Sequence, residues 1–339
     1  MNIYYHNDPL PHFRKAVITI GTFDGVHTGH AHILRQLREE AARIGGETVI
    51  ITFFPHPRKI VKGGAAEIRL INTLQEKIEL LSWQQIDHLV VVPFTEAFSQ
   101  LTAEEYIKDF LLAKFHPHTV IIGYDHRFGK GRQGDYHLLE KFSGSEGFVL
   151  QEIPVHLLDE VSVSSTRIRE AILRADIDEA NQLLGYPFFF SGKVVKGNQL
   201  GRTLGYPTAN LDPENEEKLI PADGVYAVEA ELLPAPGLFT QPSPLSTSDL
   251  FTQPSPLTTS DLFTQPKLKG MMGIGVRPTI DGRERTLEVN LFDFDQDIYG
   301  RELRVFVKKY LRRELKFNGL EELTRALDQD KLDALAALG

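Results

Sequence analysis

The sequence contains no cysteine, which excludes disulfides and cysteine metal sites without by itself separating a reducing compartment from export. Long apolar runs are also missing. The opening MNIYYHNDPLPHFRK carries acid, proline and histidine where a secretion signal would need a continuous apolar stretch, and no later segment approaches membrane-spanning length. These absences lead to the expectation of a cytoplasmic, water-soluble protein with no membrane partner. Positive charge is outweighed as well. The 37 Lys and Arg face 46 Asp and Glu, a formal net charge of -9, which argues against a general nucleic-acid binder, whose surface carries a basic stripe. Local basic pockets for nucleotide phosphates remain compatible with that balance. At 339 residues, with 42% hydrophobic and 24% charged residues, the chain exceeds the usual size of one domain, and two are expected.

The first half alternates. Short β-branched or aromatic runs at 16–20, 48–53, 88–92, 119–122 and 148–153 suit buried strands. Between them, 30–43, 74–83, 103–113 and 136–142 carry apolar residues at helical spacing with charges on the other faces. This order predicts a parallel α/β sheet covered by helices, with ligands at the carboxyl ends of the strands. Helices are also expected at 164–173 and 177–184, and the Gly185-Tyr186-Pro187 punctuation places a domain boundary between 1–185 and 186–339. Beyond it the pattern becomes strands without helices, at 188–195, 225–232, 268–275, 286–292 and 303–309. They predict a small antiparallel β-barrel, with one opening covered by a helix from 320 to 327 that extends toward 338. Residues 238–266 form a tandem insertion: LFTQPSPLSTSD returns as LFTQPSPLTTSD and begins again as LFTQP. Its proline, serine and threonine density reads as a duplicated surface excursion between strands, not a solenoid.

Chemistry gathers after the first strand, in Gly21-Thr22-Phe23-Asp24-Gly25-Val26-His27-Thr28-Gly29-His30. Glycines permit a sharp turn and close backbone approach, and the following helix offers free N–H groups to phosphate. His27 and His30, three apart on an opening turn, would donate hydrogen bonds without lysine's permanent charge. The competing reading is a helix N-cap with two surface histidines. Two further loops follow strands at the same rim. His56 and Arg58 in FPHPR would reach phosphate, and Asp125 in GYDHRFG, between Gly123 and Phe128, would accept ribose hydroxyls; each would also suit an ordinary turn. Ser165, Thr166 and Arg169 in SSTRIR supply hydroxyls at a helix start and a guanidinium suited to developing phosphate charge; the alternative is a plain N-cap with surface arginines.

In that order, GTFDGVHTGH, FPHPR, GYDHRFG and SSTRIR resemble the adenylyltransferase module of bacterial bifunctional riboflavin kinase/FMN adenylyltransferases, or FAD synthetases. The resemblance implies a Rossmann-like nucleotidyltransferase domain that transfers AMP from ATP to FMN, giving FAD and pyrophosphate. It also implies a riboflavin kinase barrel in the second half. There GRTLGYPTAN, which includes Gly201, Arg202, Gly205, Pro207, Thr208 and Asn210, resembles that module's first signature, and Leu287-Glu288-Val289-Asn290 with Asp293 and Tyr299-Gly300 resembles its second. By this similarity Thr208 and Asn210 hold Mg²⁺ with ATP, Glu288 is the general base on riboflavin, and Arg312 belongs to a tail where flavin contacts are expected. A hydroxyl and an amide carbonyl suit Mg²⁺, which takes hard oxygen donors and keeps phosphate and water ligands. Residues 269–273, KGMMG, and the insertion depart from the family's pattern, whereas IGVRPT at 274–279 keeps it. Two other readings compete: a single-activity nucleotidyltransferase, and a flavin- or nucleotide-binding regulatory protein.

Overall fold

The apolar runs of the first half lie side by side in a six-stranded sheet, ordered β1-β4-β3-β2-β5-β6, in which every pairing is parallel. Its strands are β1 Asn2–Tyr5, β2 Val17–Ile20, β3 Thr48–Phe54, β4 His88–Pro93, β5 Thr119–Gly123 and β6 Val149–Ile153. All four residues of β2 and the first six of β3 are buried. Helices cover both faces of such a sheet, so its strands read as unbroken apolar runs. The computed structural model describes all residues except 6–7, 62–67, 124, 154–162, 198–199, 214, 234–266 and 280–281. The insertion at 238–266 and Tyr124 of the GYDHRFG loop therefore lie outside the described residues.

Helix α1, Thr28–Ile44, buries Leu34, Leu37 and Ala41 and ends at Gly45 in the left-handed conformation, the usual helix stop. The helical stretch expected at 103–113 runs to 115, with a π-helical pitch over Tyr106–Leu112 that buries Tyr106, Ile107, Phe110 and Leu111. One strand was not expected. β1 leaves only one of its four residues even partly buried, and as an edge strand it shows no buried run to read.

Two compact units divide the chain, Met1–Ser165 and Thr166–Gly339. In the second, β7 Phe189–Val195, β8 Ala209–Asp212, β9 Gly224–Leu232, β10 Leu268–Thr279, β11 Gly282–Leu291 and β12 Glu302–Arg312 close an antiparallel barrel in the order β10-β11-β8-β7-β12-β9. Five strands were expected and six are present. The additional strand, β8, lies inside the GRTLGYPTAN segment, where it pairs with both β7 and β11. The helix Ile177–Leu184 packs against β12 of the barrel. Asn181 Nδ2 donates to Val307 O at 3.0 Å, and its Oδ1 accepts from Phe188 N at 2.7 Å.

The final helix, Leu320–Leu338, buries Ala334 with Ala227, Met271 and Phe292. Ala227 and Met271 are register partners, and Ala227 shares a face of β9 with Glu229 and Glu231, which pair with Lys308 and Arg304. Strand alternation puts that face on the outer wall, so this contact lies on the wall instead of over a barrel opening. The helix is pinned by a two-bond fork from Arg312 to Asp330, both bonds 2.6 Å, with Asp330 only 2% exposed. Asp330→Ala should lower second-unit stability by about 3 kcal/mol, because it strands one partner of a largely buried pair; chemical denaturation followed by fluorescence would measure it.

Candidate active sites

In the first unit, β3, β2 and β5 are adjacent parallel strands. The chain leaves β2 for β3 on one side and later returns to β5 on the other, so a crevice opens at the carboxyl end of β2. Three of the motifs read from sequence follow these three strands. In the turn after β2, Phe23, Gly25 and Val26 all have positive φ, 48°, 94° and 36°. A β-branched valine is rarely held there, and such strain concentrates at functional sites.

The buried Asp24 side chain braces this turn. Its Oδ1 accepts from Ile71 N at 3.0 Å and Asn72 N at 3.2 Å, while its carbonyl accepts from Ser165 Oγ at 2.8 Å. His27 is the N-cap of α1: its Nδ1 accepts from His30 N at 3.4 Å. The two imidazoles stack with centroids 3.7 Å apart and 18° between planes, and the Phe23 ring lies 4.8 Å from His30. A Cβ on Gly29 would come within 3.2 Å of the His27 ring, so glycine allows the ring to lie against the helix. No acidic residue occupies the first turn of α1, which leaves its positive end open to an anion. His30 Nδ1 is buried without a hydrogen-bond partner among the described residues. Burial, then His27, then Lys77 hold the His30 pKa well below the usual imidazole value, so the ring is neutral at neutral pH.

The other rim residues differ in character. His56 is buried and its Nδ1 accepts from Arg58 N at 3.2 Å, a bond within its own loop, while Arg58 is exposed. Gly123 ends β5 and Asp125 is exposed. Phe128 is buried in the core with its ring 4.9 Å from Tyr106, a packing position. Beside it, His126 Nε2 is buried without a partner among the described residues, and burial lowers the His126 pKa to about 4. Ser165 belongs to the first unit, but Thr166 and Arg169 fall in the second. Glu76 and Lys77, expected on the charged face of their helix, are instead 5% and 6% exposed. Glu76 closes a capping box with Thr73, and Lys77 lies within electrostatic reach of the Asp24 carboxylate and the His30 ring.

In the second unit the two signature segments meet. Glu288 and Asn210 are register partners on β11 and β8, and Thr208 Oγ1 donates to Glu288 Oε2 at 3.4 Å. Asn290, one pleat beyond Glu288, donates from Nδ2 to Pro207 O at 2.7 Å and holds the turn before β8. A side chain on Gly197 would collide with the Asn210 amide. Gly201 O accepts from Tyr206 N at 2.8 Å, and Gly205 has a φ of 83°, so the turn is closed by its own backbone. Arg202, Pro207, Thr208, Phe294, Asp297 and Tyr299 line a concavity beside it. The Tyr206 hydroxyl donates to Asp328, and burial followed by that carboxylate raises its pKa to about 12. Arg312 is committed to Asp330. Met271 and Met272, at the departure from the family pattern, are buried core residues.

The FAD synthetase family model matches residues 10–167 and the riboflavin kinase model matches 184–338. The chain belongs to the bifunctional riboflavin kinase/FMN adenylyltransferase family. As a family member it is an enzyme with both activities, phosphorylating riboflavin to FMN and transferring AMP from ATP to FMN to make FAD. It is 35% identical over 323 residues to the bifunctional riboflavin kinase/FMN adenylyltransferase of Escherichia coli (strain K12), covering 95% of this chain and 93% of that protein. It is 31% identical over 325 residues to the Bacillus subtilis (strain 168) protein of the same name, covering 95% and 92%. A crystal structure from Streptococcus pneumoniae described as a macrolide-efflux protein matches with a TM-score of 0.79 and 28% identity over 98% of both chains. Among the described residues no helix is long and apolar enough to cross a membrane. The flavin substrates riboflavin and FMN, the product FAD and the co-substrate ATP fit this bifunctional family.

Proposed function

We propose that each activity has its own site, the adenylyltransferase in 1–185 and the kinase in 186–339, in a cytoplasmic enzyme. The observation that carries this reading is the meeting of Thr208, just before β8, with Asn210 on β8 and Glu288 on β11, in a different unit from the His27–His30 stack. In the kinase, Glu288 takes the proton from the riboflavin 5′-hydroxyl as that oxygen attacks the γ-phosphate of ATP. The Thr208 hydroxyl and the Asn210 amide carbonyl would be the protein's oxygen donors to Mg²⁺. They fit that ion: both flank one carboxylate, and phosphate and water complete the coordination of a cation that takes oxygen ligands. Mg²⁺ supplies neutralisation of the phosphate charge. In the adenylyltransferase, the N-terminal end of α1 with His27 and His30 holds the ATP phosphates while the FMN phosphate attacks the α-phosphate. Gly21, Phe23, Gly25 and Gly29 shape the turn for close approach. His56, Arg58, Gly123 and Asp125 serve the nucleotide rim, and Thr166 and Arg169 extend the set by motif alone. Arg202, Gly201, Gly205 and Pro207 form the corresponding wall in the kinase.

Incubation with riboflavin and Mg-ATP, followed by chromatography, should show FMN first and then FAD. Accumulation of FMN alone, or binding without product, would overturn the two-site reading. The insertion contributes to neither site. The strands before and after it, β9 and β10, pair directly, with Leu268 opposite Ala230. Loop closure changes by about 0.6 kcal/mol per doubling of length. Replacing 238–266 with a short Gly/Ser turn should therefore preserve folding and both rates; loss of kinase rate in a folded deletion would place the segment in the site.

A further inference from the structure

The adenylyltransferase reading leaves Lys77 without an assigned task. Its helix, Leu74–Ser82, is docked on the nucleotide turn at its entry, where Ile71 N and Asn72 N donate to Asp24 Oδ1. Lys77 is one turn further on and only 6% exposed. Its ammonium makes no hydrogen bond or ion pair with any side chain among the described residues. Glu76, its neighbour, is held in the capping box with Thr73. The charged and titratable groups facing Lys77 are Asp24 from the turn and His30 from α1, with His27 stacked behind His30. His30 also carries a buried nitrogen with no partner among the described residues.

A buried cation is normally paired or given a ligand. Here an ammonium with one carboxylate, Asp24, opposite it and a buried imidazole nitrogen with no partner among the described residues lie by the open positive end of a 17-residue helix, and the group that would serve both is an anion with several acceptor oxygens. We infer that Lys77 is a phosphate-contacting residue of the adenylyl-transfer site, which binds the triphosphate of ATP and stabilises the pyrophosphate as it leaves. In that step an FMN phosphate oxygen forms the new bond to the α-phosphorus. The bond from that phosphorus to the bridging oxygen breaks, and pyrophosphate departs with the electron pair. Lys77 keeps its proton throughout and acts by charge, in the way that fixed cations stabilise transferring phosphoryl groups. The inference rests on the adenylyltransferase reading of the first unit.

A charge role has a pH signature that a packing role lacks. Burial lowers the Lys77 pKa to about 8, with Asp24 opposing that shift. In the free enzyme the ammonium is therefore lost as pH rises through about 8, and kcat/KM for ATP should fall along that limb. Arginine remains charged at every accessible pH. The test uses the full chain, with FMN and Mg-ATP as substrates and FAD as the measured product. Lys77→Met should lower kcat/KM for ATP at pH 7.5 by about 10- to 100-fold, with riboflavin phosphorylation unchanged. Lys77→Arg should retain FAD synthesis and carry it past pH 9 without the alkaline fall. A rise in KM for FMN instead of ATP would assign the contact to the FMN phosphate. A wild-type alkaline limb in Lys77→Arg overturns the inference, and this arm decides even if the methionine variant does not fold. Absence of FAD formation by the wild-type enzyme would instead overturn the adenylyltransferase reading beneath it.

Discussion

Replacing Glu288 with glutamine should slow FMN formation from riboflavin by about 10²- to 10⁴-fold, the contribution of a positioned general base, while FAD formation from supplied FMN continues at the wild-type rate. Glutamine keeps the length of the side chain and an oxygen toward Thr208, whose hydroxyl donates to Glu288 Oε2 in the native enzyme. It also leaves the backbone pairing of β11 with β8 intact. What it removes is the capacity to accept the 5′-hydroxyl proton. The loss should appear in kcat as well as in kcat/KM, because the proton moves in the transition state. If folded Glu288→Gln blocked FAD formation as strongly as FMN formation, the two chemistries would not occupy independent sites. A fall in riboflavin affinity with unchanged kcat would make Glu288 a binding residue and leave the base unassigned.

The strands that were legible before the structure are those buried on both faces. Val17–Ile20 and Thr48–Phe54 show little but apolar side chains, and no other local structure explains such runs so well. The two missed strands lack that signature for different reasons. Asn2–Tyr5 is an edge with exposed residues, and of the four residues in Ala209–Asp212 only Leu211 is fully buried. That second strand is specified by its partners, since β7 and β11 each offer it a free edge. The proposed site residues follow the same logic. His27, His30, Thr208, Asn210 and Glu288 were visible through motif and resemblance, and the fold places Thr208, Asn210 and Glu288 together. Lys77 was not, because a lysine beside a glutamate in an amphipathic helix reads as solvent-facing, and only docking of that helix on Asp24 buries it. Arg312 shows the converse. Its motif suggests a ligand contact, and in the fold its guanidinium also forks to Asp330, a partner 18 residues away.

The reciprocal variant, His27→Ala with His30→Ala, should depress FAD formation by at least about 10²-fold, the loss expected when preorganised donors to a transferring phosphate are removed, and should let FMN accumulate from riboflavin. The two rings act as one unit. They stack at 3.7 Å, His27 caps the helix that carries His30, and the Phe23 ring closes the other side of His30 at 4.8 Å. Single substitutions are therefore expected to cost nearly as much as the pair, since removing either ring lets the other reorient. His27→Ala should also weaken α1 by about 1 kcal/mol through the lost cap, a stability change that His30→Ala does not share. Comparing the two singles at equal folded fraction separates capping from catalysis. If both lose FAD formation alike while only His27→Ala unfolds more readily, phosphate binding accounts for the activity loss and the cap for the stability loss. Equal loss of FMN and FAD formation in a folded double variant would instead join the two activities in one site, because the proposed kinase residues Thr208, Asn210 and Glu288 belong to a unit that the substitutions do not touch.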